Sequence, residues 1–147
     1  MEKNAITELE QLTVNSRSKN FLTETAKWTK FLSIMGFIGI GLMIIFSFFA
    51  GAIFDNLPNA QPMPIDMGMT LTITYLIIAV IYFFPVYYLF QFSGKMKAAL
   101  LAKNDETLSD AFEMLKSHYK FVGVFTIIML SLYVLIFVVA MLGVVFA

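Results

Sequence analysis

Three long stretches of this 147-residue sequence contain no charged residue and no histidine. They cover residues 31–54, 67–94 and 121–147, and each exceeds the roughly 20 helical residues that cross the hydrocarbon core of a bilayer. Helices at the surface of soluble proteins carry a polar stripe, which all three stretches lack. The pattern therefore predicts an all-α membrane protein with three transmembrane helices, at about residues 31–54, 70–93 and 121–146.

The composition is also typical of a membrane protein, because 59% of the residues are hydrophobic and only 14% are charged. The absence of cysteine excludes disulfides, thiolate metal sites and a cysteine nucleophile. The net charge is zero, so the overall electrostatics give no indication of a nucleic-acid partner. The positions of the charges are more informative than their sum.

All ten basic residues lie on one side of the predicted membrane. Five precede the first span and five lie between the second and the third: Lys3, Arg17, Lys19, Lys27, Lys30, Lys95, Lys97, Lys103, Lys116 and Lys120. Lysine and arginine accumulate in the cytoplasmic segments of membrane proteins. We therefore expect a protein of the cytoplasmic (inner) membrane with a cytoplasmic amino terminus and an extracytoplasmic carboxyl terminus.

Residues 1–20 are predicted to form a polar tail and residues 21–147 a single membrane domain, with Asn20 capping the first helix. Ala50 and Ala52 resemble a signal-peptidase site, which leaves cleavage after the first span as an alternative. Thirty residues precede that span, however, and its apolar core is longer than that of a signal peptide. An uncleaved signal anchor is the expected interpretation.

The segment between the second and third spans has the pattern of a helical hairpin. Gly94 is predicted to end the second span, and residues 95–103 to form a short helix before a turn at Asn104. Apolar residues then recur with the spacing of an amphipathic helix: Leu108, Ala111, Phe112, Leu115 and Tyr119. The sequence thus predicts a cytoplasmic amphipathic hairpin over residues 95–120, whose second helix continues into the third span. The predicted face for a protein partner or anionic lipid comprises Leu108, Phe112, Leu115, Lys103, Lys116 and Lys120.

Few residues are suited to catalysis or metal binding. The spans lack the charged residues that a proton relay or an intramembrane protease requires. Glu113 and His118 are five positions apart, whereas the carboxylate–histidine metal motif of helical bundles has a spacing of three. Met63, Met67 and Met69 lack an accompanying histidine or cysteine that would favour a copper site. We therefore expect no catalytic residue, no metal and no cofactor, and a protein that is not an enzyme.

Small residues in the first span predict close packing between helices. They are Ser33, Gly36, Gly39, Gly41, Ser47 and Gly51. In lipid, helices associate through packing rather than through the hydrophobic effect, and small residues let their backbones approach. Pro85 lies inside the second span, where the loss of one helical hydrogen bond predicts a kink. This kink is a candidate hinge for a gate. The alternative is a fixed kink that the helix simply tolerates.

Residues 26–42, with the sequence AKWTKFLSIMGFIGIGL, resemble the first span of a family of small bacterial integral membrane proteins of unknown function. Residues 88–100 (YLFQFSGKMKAAL) and 108–116 (LSDAFEMLK) are similar to the inner hairpin of that family. The resemblance extends from about Phe21 onward. It implies the three-span architecture in a bacterial inner membrane, and it brings no activity and no functional residue.

The sequence predicts a non-catalytic accessory or scaffold subunit that binds partner helices or anionic lipid. Its expected partners are the lipid bilayer and either another protein or further copies of itself, and no nucleic acid. The alternative is a self-associating pore or small carrier. Its polar lining would comprise Thr70, Thr72, Thr74, Tyr82, Gln91, Thr126, Ser131 and Tyr133.

The predicted orientation is tested by the accessibility of tags at the two ends of the chain. A tag before Met1 should react with a membrane-impermeant reagent from the cytoplasmic side, whereas a tag after Ala147 should be protected. The reason is that three spans place the two ends on opposite sides, and the basic residues select the cytoplasmic one. Labelling of both tags from the cytoplasm would contradict the three-span topology.

Overall fold

The computed structural model describes residues 14–56 and 66–146, which form three long helices. These are α1 (Ser16–Asp55), α2 (Met67–Ala102) and α3 (Asp105–Phe146). Each helix contains a window that is long and apolar enough to cross a membrane. The prediction of an all-α protein with three candidate membrane spans is therefore confirmed.

Polar side chains define where α1 and α2 begin. The backbone N–H of Ser18 donates to Asn15 Oδ1 at 2.8 Å, and Asp66 caps α2 in the same way. Such side chains satisfy N–H groups that have no partner in the first turn of a helix. Because α1 begins at Ser16, Asn20 lies inside the helix, and the prediction of a cap at Asn20 is wrong. Residues 1–13 of the predicted polar tail lie outside the described part of the chain.

The segment between the second and third candidate spans is not a separate hairpin. α2 continues without interruption through Gly94, and α3 begins only two residues after α2 ends. Lys103 has a left-handed backbone conformation (φ 53°, ψ 44°), and the N–H of Asn104 donates to the Ala99 carbonyl at 3.2 Å. This geometry ends the helix as a Schellman motif does. The predicted hairpin over residues 95–120 is corrected accordingly, because its two arms are the ends of α2 and α3.

Gly94 does not end α2 because the packing of its neighbours outweighs the cost of one glycine. A glycine inside a helix costs only about 1 kcal/mol relative to alanine. Phe92 and Met96 lie on either side of Gly94 in sequence, and both are almost completely buried. Their burial requires the helical register to continue.

Within the described residues, α2 packs against both other helices, and α1 and α3 do not pack against each other. α1 and α2 are antiparallel, because Ala26 lies beside Ser93 and Gly51 lies beside Gly68. α2 and α3 are antiparallel because a two-residue turn joins them. All the described lysine and arginine side chains therefore lie toward one end of the bundle, which we call the basic end.

The buried core of the bundle also lies at the basic end. It consists of Ala26, Phe92, Met96, Leu100 and Ala111, which we call the basic-end cluster. Partly buried side chains pack around it: Leu22, Leu108, Met114 and Leu115. All three helices contribute to this cluster, so it holds the bundle together.

Replacement of Lys103 by glycine should stabilise the turn between α2 and α3. A non-glycine residue in the left-handed conformation costs roughly 1–2 kcal/mol, part of which is offset by the greater freedom of glycine in the unfolded chain. We expect Lys103→Gly to raise the unfolding temperature in detergent, followed by circular dichroism. Ala98→Gly, at an exposed position inside α2, is the matched control and should lower it. A lower unfolding temperature for both variants would contradict the turn geometry.

Candidate functional site

The interface between α1 and α2 contains small and hydroxyl-bearing residues beside aromatic contacts of Phe37 with Phe83 and Phe90. Ser33 and Ser47 are completely buried. Ser93 Oγ donates to the Ala26 carbonyl at 2.7 Å. Thr72 Oγ1 lies 3.1 Å from the Ser47 carbonyl and 3.0 Å from the Gly68 carbonyl of its own helix, so these two carbonyls share one hydroxyl proton. Polar contacts therefore cross the interface near both of its ends, where they favour one register of the two helices.

The six small residues predicted for helix packing fall into two groups. Four lie against α2 (Ser33, Gly36, Ser47 and Gly51), and two have no described neighbour within 4 Å of an added Cβ atom (Gly39 and Gly41). A Cβ atom at Gly51 would lie 3.0 Å from the backbone oxygen of Gly68 and would also collide with the Thr72 hydroxyl. Gly51 thus permits a close approach that no other residue allows at this position.

Two polar contacts join α2 to α3 near the basic end. Lys95 Nζ lies 3.0 Å from Asp110 Oδ2, and both side chains are partly exposed. His118 Nδ1 lies 2.9 Å from the carbonyl oxygen of Pro85. Because a carbonyl only accepts hydrogen bonds, Nδ1 carries the proton in this contact. Pro85, the hinge candidate, therefore lies in a continuous helix and has its carbonyl bound to α3.

Beyond Pro85, α2 and α3 border an open groove of about 430 Å³, which we call the α2–α3 groove. Its lining includes Tyr82, Pro85, Phe125, Thr126, Met129 and Tyr133. Every residue of α3 from Leu130 to Gly143 is exposed. This part of α3 is therefore not buried by α1 or α2 within the described residues.

The α2–α3 groove contains polar groups without partners among the described residues. The hydroxyl groups of Tyr82 and Tyr133 make no hydrogen bond there, and the two side chains are 51% and 64% exposed. The Thr126 hydroxyl, by contrast, donates to a carbonyl of its own helix. Pro85 has no N–H to donate to the Ile81 carbonyl, so this carbonyl lacks its regular helical donor. The groove thus offers two hydroxyl donors and one backbone acceptor.

The structure buries part of the predicted partner or lipid face of the inner segment and leaves the other part exposed. Leu108 and Leu115 pack against the basic-end cluster, whereas Phe112 is 44% exposed. The three lysines of that face are all exposed: Lys103, Lys116 and Lys120. Much of the apolar surface predicted for a partner is thus covered by the chain itself.

Across residues 14–56 and 66–146, no group of three or more histidine, cysteine, aspartate or glutamate residues is arranged to hold a metal ion. Asp110 is paired with Lys95, and the one histidine contacts the Pro85 carbonyl. Met63, one of the methionines considered for copper, lies outside the described residues.

A model of a protein family of unknown function, DUF5362, matches residues 66–141, which is more than half of the sequence. The chain belongs to the DUF5362 family. No curated protein and no solved structure matches it. The matched segment begins at the residue that caps α2 and ends within α3. It therefore contains both helices that line the α2–α3 groove.

Membership of DUF5362 agrees with the resemblance to a family of unknown function. The resemblance extends from about Phe21 onward, whereas the family match begins at Asp66 and leaves α1 outside it. The likeness of residues 26–42 to a first span of the family is therefore not covered by this match.

The sequence did not reveal the partners of Ser93 and His118. A single serine near the end of an apolar segment is a weak signal of a polar contact between helices. No sequence signal identifies its acceptor, because that acceptor is the backbone of Ala26. The acceptor of His118 is likewise a backbone carbonyl, at Pro85.

Gly51 and Gly39 form a matched pair for testing the α1–α2 interface. Gly51→Ala should lower the free energy of unfolding by about 1–3 kcal/mol, the usual cost of overpacking. Gly39→Ala has space for its methyl group and should leave stability unchanged or raise it by up to about 1 kcal/mol. Thermal unfolding in detergent micelles measures both effects. Equal effects of the two substitutions would show that Gly51 does not lie in a close helix contact.

Proposed function

We propose that this DUF5362 protein is a non-catalytic accessory or scaffold subunit of a membrane assembly, which binds a partner helix or anionic lipid. One observation carries the partner-helix proposal. The hydroxyls of Tyr82 and Tyr133 lie in the α2–α3 groove without hydrogen-bond partners among the described residues.

The proposal places the basic end of the bundle at the cytoplasmic face of a bacterial inner membrane. Its support is the positive-inside rule, because the described basic side chains lie toward that end alone. α1, α2 and α3 then cross the membrane in turn, with the amino terminus in the cytoplasm and the carboxyl terminus outside.

In this placement Tyr133 lies deep in the hydrocarbon layer, whereas Tyr82 lies close to its cytoplasmic surface. Tyr133 is thirteen residues after Lys120, and the contact of His118 with Pro85 places Tyr82 level with the residues that follow Lys120. At 1.5 Å per residue, Tyr133 is about 20 Å along α3 from Lys120, and the hydrocarbon core is about 30 Å thick. A hydroxyl group without a partner in such surroundings costs roughly 2–7 kcal/mol relative to water.

A partner helix satisfies this group, whereas lipid tails do not. Lipid tails contain neither a donor nor an acceptor, so they leave the Tyr133 hydroxyl without a partner. Serine, threonine or asparagine side chains on a neighbouring helix supply both. Hydrogen bonds of this kind contribute about 0.6 kcal/mol on average and up to about 1.7 kcal/mol. The partner is either a second copy of this chain or another membrane protein.

Self-association into a pore or carrier is the alternative, and it has less support. The hydroxyls of Thr70, Thr74, Thr126 and Ser131 donate to carbonyls of their own helices. They would therefore offer only acceptors to an aqueous path. Flux through reconstituted liposomes above the background of protein-free liposomes would favour the pore.

The partner-helix proposal is tested by photo-cross-linking in whole membranes. A photo-reactive phenylalanine analogue replaces Tyr133, and the matched control places the same analogue at Ile38, an exposed position on α1 outside the groove. We expect a protein adduct at position 133 and only lipid adducts at position 38. Mass spectrometry of the adduct distinguishes a second copy from another protein. Lipid adducts alone at both positions would overturn the proposal.

Removal of the hydroxyl group provides a second readout. Tyr133→Phe should weaken the association by about three- to fifteenfold, which corresponds to the loss of one interhelical hydrogen bond. Tyr119→Phe is the control, because Tyr119 is equally exposed and lies outside the groove. Recovery of the partner after purification in mild detergent measures both variants. The recovery of the bare chain alone from wild-type membranes would also contradict the proposal.

A further inference from the structure

A small cavity of about 180 Å³ lies between α1 and α2 at the basic end. Six residues with polar side chains border it, although most of the surface that faces the cavity is apolar: Lys19, Thr23, Lys27, Lys30, Ser93 and Lys97. Ala26 and Leu100, both buried members of the basic-end cluster, also border it. The cavity therefore has an apolar floor and four lysines around it, and we call it the lysine cavity.

The four lysines are available to an external anion. Within the described residues, the only carboxylate within 4 Å of a lysine is Asp110, and its partner Lys95 does not line the cavity. The Thr23 hydroxyl donates to the Lys19 carbonyl and the Ser93 hydroxyl to the Ala26 carbonyl, so both protons are already bound. The free donors of the residues that border the cavity are thus lysine ammonium groups, which suit a compact anion rich in acceptors.

The position of the lysine cavity points to the membrane surface. Lys30 directly precedes the uncharged stretch of α1, and Ser93 lies two residues before the first charge after the uncharged stretch of α2. Trp28, next to Lys27, is largely exposed, as residues of the interfacial aromatic belt are. The cavity therefore lies at the level where lipid head groups meet the protein.

We propose that the lysine cavity binds the phosphate group of an anionic phospholipid in the cytoplasmic leaflet. This inference rests on the membrane placement proposed above, and it names the residues that take the anionic lipid. The cavity is smaller than the roughly 300–1,000 Å³ of pockets for drug-sized ligands, so it accommodates a head-group phosphate while the acyl chains remain in the bilayer. Lysine residues near an anionic leaflet each add to this attraction.

The chain supplies a control of equal charge for the experiment. Lys27, Lys30 and Lys97 line the cavity, whereas Lys103, Lys116 and Lys120 lie outside it at the same end of the bundle. The second set belongs to the face that the sequence predicts for a partner or anionic lipid, so the two variants also compare the cavity with that face. Replacement of either set by glutamine removes three positive charges and leaves seven basic residues. A difference in lipid retention between the two variants is therefore an effect of the cavity and not of the overall charge.

The test is native mass spectrometry of the full chain in detergent micelles titrated with phosphatidylglycerol or phosphatidylcholine. We expect one retained phosphatidylglycerol per chain, no comparable retention of phosphatidylcholine, and a loss of at least about tenfold in Lys27→Gln/Lys30→Gln/Lys97→Gln. The control Lys103→Gln/Lys116→Gln/Lys120→Gln should retain the lipid within about twofold. Circular dichroism of both variants verifies folding, and Lys97→Gln against Lys103→Gln repeats the comparison with single substitutions if a triple variant unfolds.

Three results would overturn the lipid site: equal retention of the two lipids, equal loss in the two triple variants, or displacement of the lipid by equimolar inorganic phosphate. The last would show that the cavity takes a phosphate from water rather than a lipid. Cross-linking at position 133 is measured in the same variants. An adduct that persists while lipid retention fails refutes this inference alone, whereas retained lipid without the adduct refutes the partner groove alone.

Discussion

In the placement proposed above, each helix passes from water and lipid head groups at the basic end into hydrocarbon beyond it, and the rest of the structure depends on this change of surroundings. Burial of apolar side chains is favourable only where the alternative is water, and most of the basic-end cluster, including Met96, Leu100 and Ala111, lies outside the uncharged stretches. In hydrocarbon, helices associate through close packing and hydrogen bonds instead. The distant part of the α1–α2 interface accordingly contains Gly51 and the Thr72 hydroxyl group rather than large buried side chains.

The same constraint explains why α1 and α3 pack differently against α2. α1 presents small residues toward α2 along its length, so the two backbones approach closely. α3 contacts α2 through His118 and the Lys95–Asp110 ion pair near the basic end, and its residues from Leu130 to Gly143 are exposed. A long apolar helix that is bound at one end only leaves a groove, and the groove contains the hydroxyl groups that need partners.

Most of the architecture could be predicted from the sequence, because the solvent acts on whole segments. The uncharged stretches located the three helices, and the basic residues marked one end. Predictions that relied on a single residue were less secure: Gly94 does not end α2, because the burial of Phe92 and Met96 holds the helix together. The polar contacts of the candidate sites could not be predicted from the sequence for a related reason. The contacts of His118 and Ser93 are with backbone carbonyls, which every residue possesses and no sequence pattern distinguishes.

The two proposed sites differ in which parts of the chain they need. The α2–α3 groove is built entirely within residues 66–141, the segment that matches the DUF5362 model. Three of the four lysines of the lysine cavity belong to α1, which lies outside that segment. The proposed partner site therefore needs only the α2–α3 pair. The proposed lipid site needs α1 as well, and the hydrogen bond from Ser93 to the Ala26 carbonyl helps to hold the lysines of α1 beside Lys97. α2 contributes residues to both proposed sites, because it packs against each of the other two helices within the described residues.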